Sequence, residues 1–242
     1  MQRLILCLCV AAGATAADRA ELTSLVDSPT AGLVNKGHYA VDVRLFADGG
    51  AIGRLHVGVL KRLSVGVSFG GEQLIGTGAV DWNPRVGLAA RCRIIEEGYT
   101  WPALLLGFDS QGIGPYRNQR YQVKSKGIYL ALSKNYTSML GELGVHAGVN
   151  MSREDANDGD WSAWLGIDKS LRFMALFAEY DLGRNNGLQN QGVGEGYLNV
   201  GGAWTVTPQL RVAYYLKNAL ESDHFSSQSM RELSVTYRRK FR

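Results

Sequence analysis

Cysteine is nearly missing from this chain: Cys7 and Cys9 fall in the first ten residues, and Cys92 stands alone after them. A lone cysteine closes no internal disulfide, which excludes the stapled scaffolds of small secreted proteins. Long apolar runs are absent too. Nothing approaches the roughly 18–20 residues of a spanning helix. Proline is scarce, at 5 of 242 residues, so long stretches are free to pair as strands. Charge of one sign is not in excess either. The formal balance of +4 with no basic run gives no reason to expect a nucleic-acid partner.

What the chain does have is glycine, 30 residues without a collagen-like period, and a leader-like start, MQRLILCLCVAAGATAAD. Arg3 supplies the positive end, residues 4–12 the short apolar core, and Ala14-Thr15-Ala16 a cleavage signal. Residues 1–16 therefore read as a secretory signal peptide. Neither Cys7 nor Cys9 follows the small residues that a lipid-modified cysteine requires. Residues 17–35, polar and containing SPTAGL, read as a periplasmic lead-in, and residues 36–242 as one barrel domain.

Period-two alternation dominates from there on, the mark of strands with one apolar and one polar face. Tyr39, Val41, Val43 and Leu45 alternate with Asp42 and Arg44. Val86, Leu88, Ala90, Cys92 and Ile94 stand opposite Arg85, Arg91 and Arg93. The last residues, MRELSVTYRRKFR, set Leu233, Val235 and Tyr237, with Phe241 beyond, against Glu232, Ser234, Thr236 and Arg238. About twelve such segments occur, most near the 9–11 residues a tilted membrane strand needs. After the first hairpin, whose long-side loop Asp48-Gly49-Gly50 is brief, their connections alternate short and long, as in outer-membrane barrels. The fold expected is all-β, a single antiparallel transmembrane β-barrel of about 12 strands whose first and last strands pair.

Charge decides which face is outside. Arginine on the lipid face costs about 2–4 kcal/mol at the midplane. The faces bearing Arg91 and Arg93 should then line the lumen, and the aliphatic faces should meet lipid. Tyr39, Tyr99, Trp101, Tyr121, Tyr136, Trp161 and Phe241 fall near strand ends, where a girdle would lie. Arg239 shares the outward parity of Phe241, close enough to the strand end to snorkel.

Two lumenal walls follow. Arg44, Arg54, Arg85, Arg91 and Arg93 come from early strands, and Glu142, Asp168, Glu179 and Asp181 from later ones. A basic wall opposite an acidic one would orient polar solutes in a water-filled channel; otherwise the charges zip the interior shut. No catalytic, cofactor or metal site emerges. Neither G-x-S-x-G nor H-E-x-x-H occurs. Among His38, His56, His146 and His224, His146 lies four residues from Glu142, about 13 Å along a strand. SREDANDGD at 152–160 only partly follows a calcium loop and reads as a solvated surface. Gly112 and Gly114 lie in a stretch that lacks the lysine of a phosphate loop.

GFDSQG at 107–112, KSKGIYLALSKNY at 124–136, FAEYDL at 177–182, GYLNVG at 196–201 and SPTAGL at 28–33 resemble an uncharacterised family of bacterial outer-membrane β-barrels. That family is similar to YjbH-type proteins, associated with exopolysaccharide production. The resemblance implies an outer-membrane location and no catalytic residues. The terminal strand, with Phe241 before Arg242, resembles the signal read by the barrel-assembly machinery. The function expected is a narrow channel for small polar solutes with a charged lumen; the alternative is a non-conducting envelope-structural or exopolysaccharide-secretion accessory barrel. Expected partners are outer-membrane lipids, the assembly machinery, and envelope polysaccharide or small solutes.

Overall fold

A computed structural model describes residues 20–139, 141–154, 161–184, 196–221 and 230–241. The expected signal peptide, most of the acidic loop at 152–160 and His224 lie outside them. In chain order the strands are β1 (His38–Phe46), β2 (Gly50–Leu60), β3 (Leu63–Glu72), β4 (Asp81–Trp82), β5 (Gly87–Ile95), β6 (Ala103–Asp109), β7 (Ile113–Arg117) and β8 (Arg120–Val123). They continue with β9 (Gly127–Ser138), β10 (Gly141–Met151), β11 (Trp161–Ser170), β12 (Met174–Asp181), β13 (Tyr197–Thr205), β14 (Leu210–Lys217) and β15 (Met230–Lys240).

Twelve of these pair antiparallel in one closed ring, with β15 returning to β1. β4 extends the end of β3, and β7 pairs with β8 in a separate hairpin. The seam runs from His38↔Lys240 to Leu45↔Leu233, the pairing expected of the first and last strands. Closure satisfies the backbone groups that an open edge would leave bare in lipid.

The seam shows why parity is enforced. Val43 faces Val235 and is 42% exposed on the outside, where lipid would cover it. One residue on, Arg44 faces Ser234 and is buried inside. On the inner side the Asp42 carboxylate accepts from the Thr236 hydroxyl at 2.9 Å, from Ser234, and from Arg54 at 3.3 Å. On the outer side Phe241 packs on Tyr39 with ring centroids 5.1 Å apart. Around the barrel Val65, Val67, Leu130, Leu132, Val145 and Ile167 likewise point outward. Cys92 is exposed on that face.

Three expectations need correction. Residues 110–120, read as a polar loop, contain β7 and the start of β8, joined at Asn118 and Gln119, both at positive φ (52° and 65°). Two consecutive left-handed residues make the tight turn that suits a hairpin. Tyr121, expected in the girdle, is buried in that hairpin against Tyr116. Residues 21–35, expected as part of a lead-in, lie inside the barrel.

Candidate functional site

The lumen is occupied by the chain's own N-terminal segment. Residues 21–35 form a narrow hairpin: Leu25 N–H donates to the Ser28 carbonyl (3.0 Å), Thr30 N–H to the Thr23 carbonyl (3.1 Å), and Thr30 Oγ1 to the Leu22 carbonyl. Its C-terminal arm leaves at the short-turn end, where Gly37 N–H donates to the Gly58 carbonyl at 2.9 Å. Gly58 must lack a side chain, because a Cβ there would stand 2.0 Å from the Asn35 carbonyl oxygen. The other arm returns to the same end, since Glu21 meets Arg93 and Arg238 in the last residues of β5 and β15. Leu25 and Val26 pack with Phe177, Ala203, Ala213 and Tyr215. Ala31 and Leu33 pack with Leu105, Tyr129, Ala131 and Trp164. Burying these apolar groups, each worth about 1.5–3 kcal/mol for a large side chain, draws the segment inward.

At the tip the hairpin and the wall exchange charges. The Glu179 carboxylate accepts the N–H groups of Val26 (3.0 Å), Asp27 (2.8 Å) and Ser28 (2.9 Å), with Asn199 Nδ2 at 2.9 Å. In return the Asp27 carboxylate lies 2.7 Å from Arg44 Nη2 and 2.7 Å from Lys217 Nζ. Glu232 completes the group, bonded to Arg44 Nε and 3.2 Å from Lys217. Burial alone would raise the Asp27 carboxyl, but Lys217 and Arg44 outweigh it and hold that carboxyl well below the usual carboxylate range. Beside the tip Lys126 bonds Asp181 and lies 5.1 Å over the Trp164 ring.

Lower in the barrel the arginines bind hairpin oxygens. Arg91 donates to the Thr23 carbonyl, Arg238 to that of Glu21 at 2.7 Å, and Arg93 Nε to that of Ala31 at 3.1 Å. Arg93 also pairs with the Glu21 carboxylate at 3.1 Å. Arg211 lies 5.0 Å over the Phe177 ring and, among the described residues, has no carboxylate at ion-pair distance.

Of the residues singled out as lumenal, Arg44, Arg91, Asp168, Glu179 and Asp181 are buried inside, and Arg54, Arg93 and Glu142 are half-buried with inward parity. Arg85 is not among them. It sits exposed in a bend before β5, because Pro84 cannot donate to the ladder and the strand starts only at Gly87. Basic and acidic walls do not confront each other across open water; the hairpin lies between them and takes contacts from both. Asp27, Lys126, Lys217 and Arg211 were not singled out from sequence. Inward parity on β14 was available for the last two, since Arg211, Ala213, Tyr215 and Lys217 share one face.

His146 is also an inside residue, and its partner is not Glu142. Ser133 Oγ lies 2.8 Å from His146 Nδ1, and His146 Nε2 lies 2.9 Å from Asp168 Oδ1. Gly144 makes the second contact possible, because a Cβ there would sit 2.1 Å from that Asp168 oxygen. In the tautomer with its hydrogen on Nε2, the imidazole donates to Asp168 and its Nδ1 accepts from Ser133. Ser133 Oγ accepts the Ala31 N–H at 2.8 Å. The trio has the members of a hydrolytic triad, but its imidazole is reversed relative to the usual one, in which serine meets Nε2 and the carboxylate Nδ1. Here it fixes the hairpin to the wall.

The long-loop end is narrowed by the β7–β8 loop. Ile113 and Val123 pack on inward-facing Ile52, and Gln111 lies 3.2 Å from Ser68. Glu154 ties the loop down by accepting the N–H groups of Tyr121 (2.8 Å) and Ser125 (2.5 Å). Between loop, hairpin and wall remains a cavity of about 120 Å³ bordered by Arg54, His56, Arg91, Arg211, Arg238 and Asp109. Polar and apolar side chains line it together, and it has room for several waters.

No protein-family model matches the chain, and no curated protein matches it. Solved structures do share its fold. One is described as a KdgM porin, 13% identical, covering 82% of this chain and 98% of its own, with a TM-score of 0.51. Another, a KdgM porin in complex with disordered oligogalacturonate, is 13% identical with the same coverage and a TM-score of 0.53. The chain thus has the closed-barrel fold of these porins, consistent with a place in the bacterial outer membrane.

Proposed function

We propose that this protein is an outer-membrane channel for small polar solutes, held shut by its N-terminal hairpin. The observation that carries this reading is the wall behind the hairpin. Arg44, Arg91, Arg93, Arg238 and Lys217 all face inward, and they meet a segment that enters the barrel without adding a strand to it. Twelve strands enclose more space than wall side chains fill, so the barrel without this segment would hold a passage lined by these charges. Outer-membrane lipids would cover the aliphatic exterior, and the barrel-assembly machinery would read the strand that ends near Phe241. The likeness in fold to a porin that was solved with oligogalacturonate supports passage of small solutes.

Planar-bilayer conductance tests this. The whole chain should be nearly silent, and a form lacking residues 20–35 should conduct. A hairpin-deleted barrel that keeps heat-modifiable gel mobility yet passes no current would overturn the reading.

The second reading is a non-conducting accessory barrel, structural or tied to exopolysaccharide secretion, as the YjbH-type resemblance implies. It is favoured by the two apolar clusters that seat the hairpin. Silence of both forms would select it. In neither reading does the chain carry catalysis.

A further inference from the structure

The cavity beside the hairpin gathers positive charge that its own side chains leave unanswered. Arg91 reaches it from β5, Arg211 from β14 and Arg238 from β15, and Arg238 is repelled by both of the others. Among the described residues none of these three has a carboxylate at ion-pair distance. Their partners are neutral: the Thr23 carbonyl and the Tyr129 hydroxyl for Arg91, the Glu21 carbonyl and Thr23 Oγ1 for Arg238, and the Phe177 ring for Arg211. The carboxylates nearby are engaged elsewhere. Asp42 takes Arg54, Ser234 and Thr236, and Asp27 takes Arg44 and Lys217. Glu21 takes Arg93, and Asp168 takes His146 and Ser170. Asp109 accepts the Gln111 N–H and acts on Arg91 only from beyond ion-pair distance. Like charges drawn out of water without a counter-ion are costly. Leu22, Thr23 and Ser24 of the hairpin close one side of the cavity, so a chain solute is excluded and a small ion is not.

We propose that this cavity binds one inorganic phosphate, which latches the hairpin to the wall. Arg91, Arg211 and Arg238 hold its oxygens, each through the planar fork of N–H donors that suits phosphate. Thr23, bonded to two of these arginines, seats the hairpin against the ion. Without the ion, three like charges press apart around the hairpin's N-terminal arm. With it, they are drawn together and the arm is held between them. The latch is a joint between hairpin and wall, and it stands whether or not the opened barrel conducts.

The test is calorimetric titration of the whole chain, refolded in phosphate-free detergent, with inorganic phosphate. One ion should bind per barrel. The Thr30 amide, bonded to the Thr23 carbonyl, reports the latch: phosphate at about ten times its Kd should slow its hydrogen exchange about tenfold. Potassium chloride at equal ionic strength should leave exchange unchanged. Arg211→Gln should abolish binding and slowing while heat-modifiable mobility stays intact; if that variant folds poorly, Arg211→Lys, which lacks the fork, should weaken both severalfold. The barrel lacking residues 20–35 should bind no phosphate at the same concentrations. Absence of binding by the whole chain in millimolar phosphate overturns the site. Equal slowing by chloride overturns its assignment to an oxyanion. Binding undiminished in the Arg211 variants marks an adventitious ion only and overturns the arginine cluster. Binding undiminished after loss of residues 20–35 puts the ion on the wall alone and overturns the latch.

Discussion

Asp27 reaches the wall on the tip of a turn, and its environment is set almost wholly by two cations from strands far away in sequence. Because its carboxyl is held down in the folded state, the stability it adds is complete above the ordinary carboxylate range, about pH 4, and is lost as the pH falls below that. Hydrogen exchange at the Val26, Asp27 and Ser28 amides should therefore be quickened, after correction for intrinsic rates, as the pH falls below about 4. Asp27→Asn leaves a buried cation short of its partner, a loss of about 3–5 kcal/mol in comparable sites. The same amides should then exchange much faster at neutral pH, while heat-modifiable mobility of the barrel stays as it is. Unchanged exchange would mean that the apolar contacts of Leu25 and Val26 hold the tip by themselves. Little of this was legible residue by residue. Glu179 stood out because an inward carboxylate on a lipid-clad strand needs a partner, but nothing in its spacing said that the partner would be a turn of backbone.

Elements divide into those that period-two patterning reveals and those it hides. The long strands declare themselves because each must show lipid one face and the lumen the other, so a slip of one residue would expose every charge. The β7–β8 loop and the N-terminal hairpin meet no lipid and carry no such constraint. Serine, threonine and glycine in them look like solvated chain, since a polar lumen accepts the same residues that water does. Four of the five motifs that carried the family resemblance nonetheless converge on the hairpin's seat. SPTAGL runs from its tip into its C-terminal arm, KSKG contributes Lys126, FAEYDL contributes Glu179 and Asp181, and GYLNVG contributes Asn199. The β7–β8 loop offers its own test. Glu154→Ala removes the acceptor of two amides, a change worth about 1–3 kcal/mol when such donors are left unsatisfied. Trypsin should then cut near Arg117 and Arg120 in folded protein, and Glu154→Gln, which retains an acceptor oxygen, should be cut more slowly.

For the whole molecule the decisive fact is that the apolar surface faces outward. Val43→Arg, mid-strand beside the seam and outside the barrel, should lower the unfolding free energy in lipid by about 2–4 kcal/mol, read by denaturant titration of vesicle-bound protein. An effect below 0.5 kcal/mol, the range of ordinary surface changes, would place that face away from the membrane core. This outward face was readable from residue types alone, because twelve strands enclose more space than an aliphatic filling could occupy and arginines had to point somewhere wet. The content of that space was not readable, since it depends on contacts between residues up to 217 positions apart, as between Glu21 and Arg238.

Both arms of the hairpin open toward one mouth of the barrel, so the segment is inserted like a cork and is not threaded like a needle. It can withdraw without parting any of the strand pairs, including the seam between β1 and β15. Assembly and gating are therefore separable events in time. The ring can close first and be stoppered afterwards, and any later opening spends nothing on the ladder that keeps the protein in the membrane.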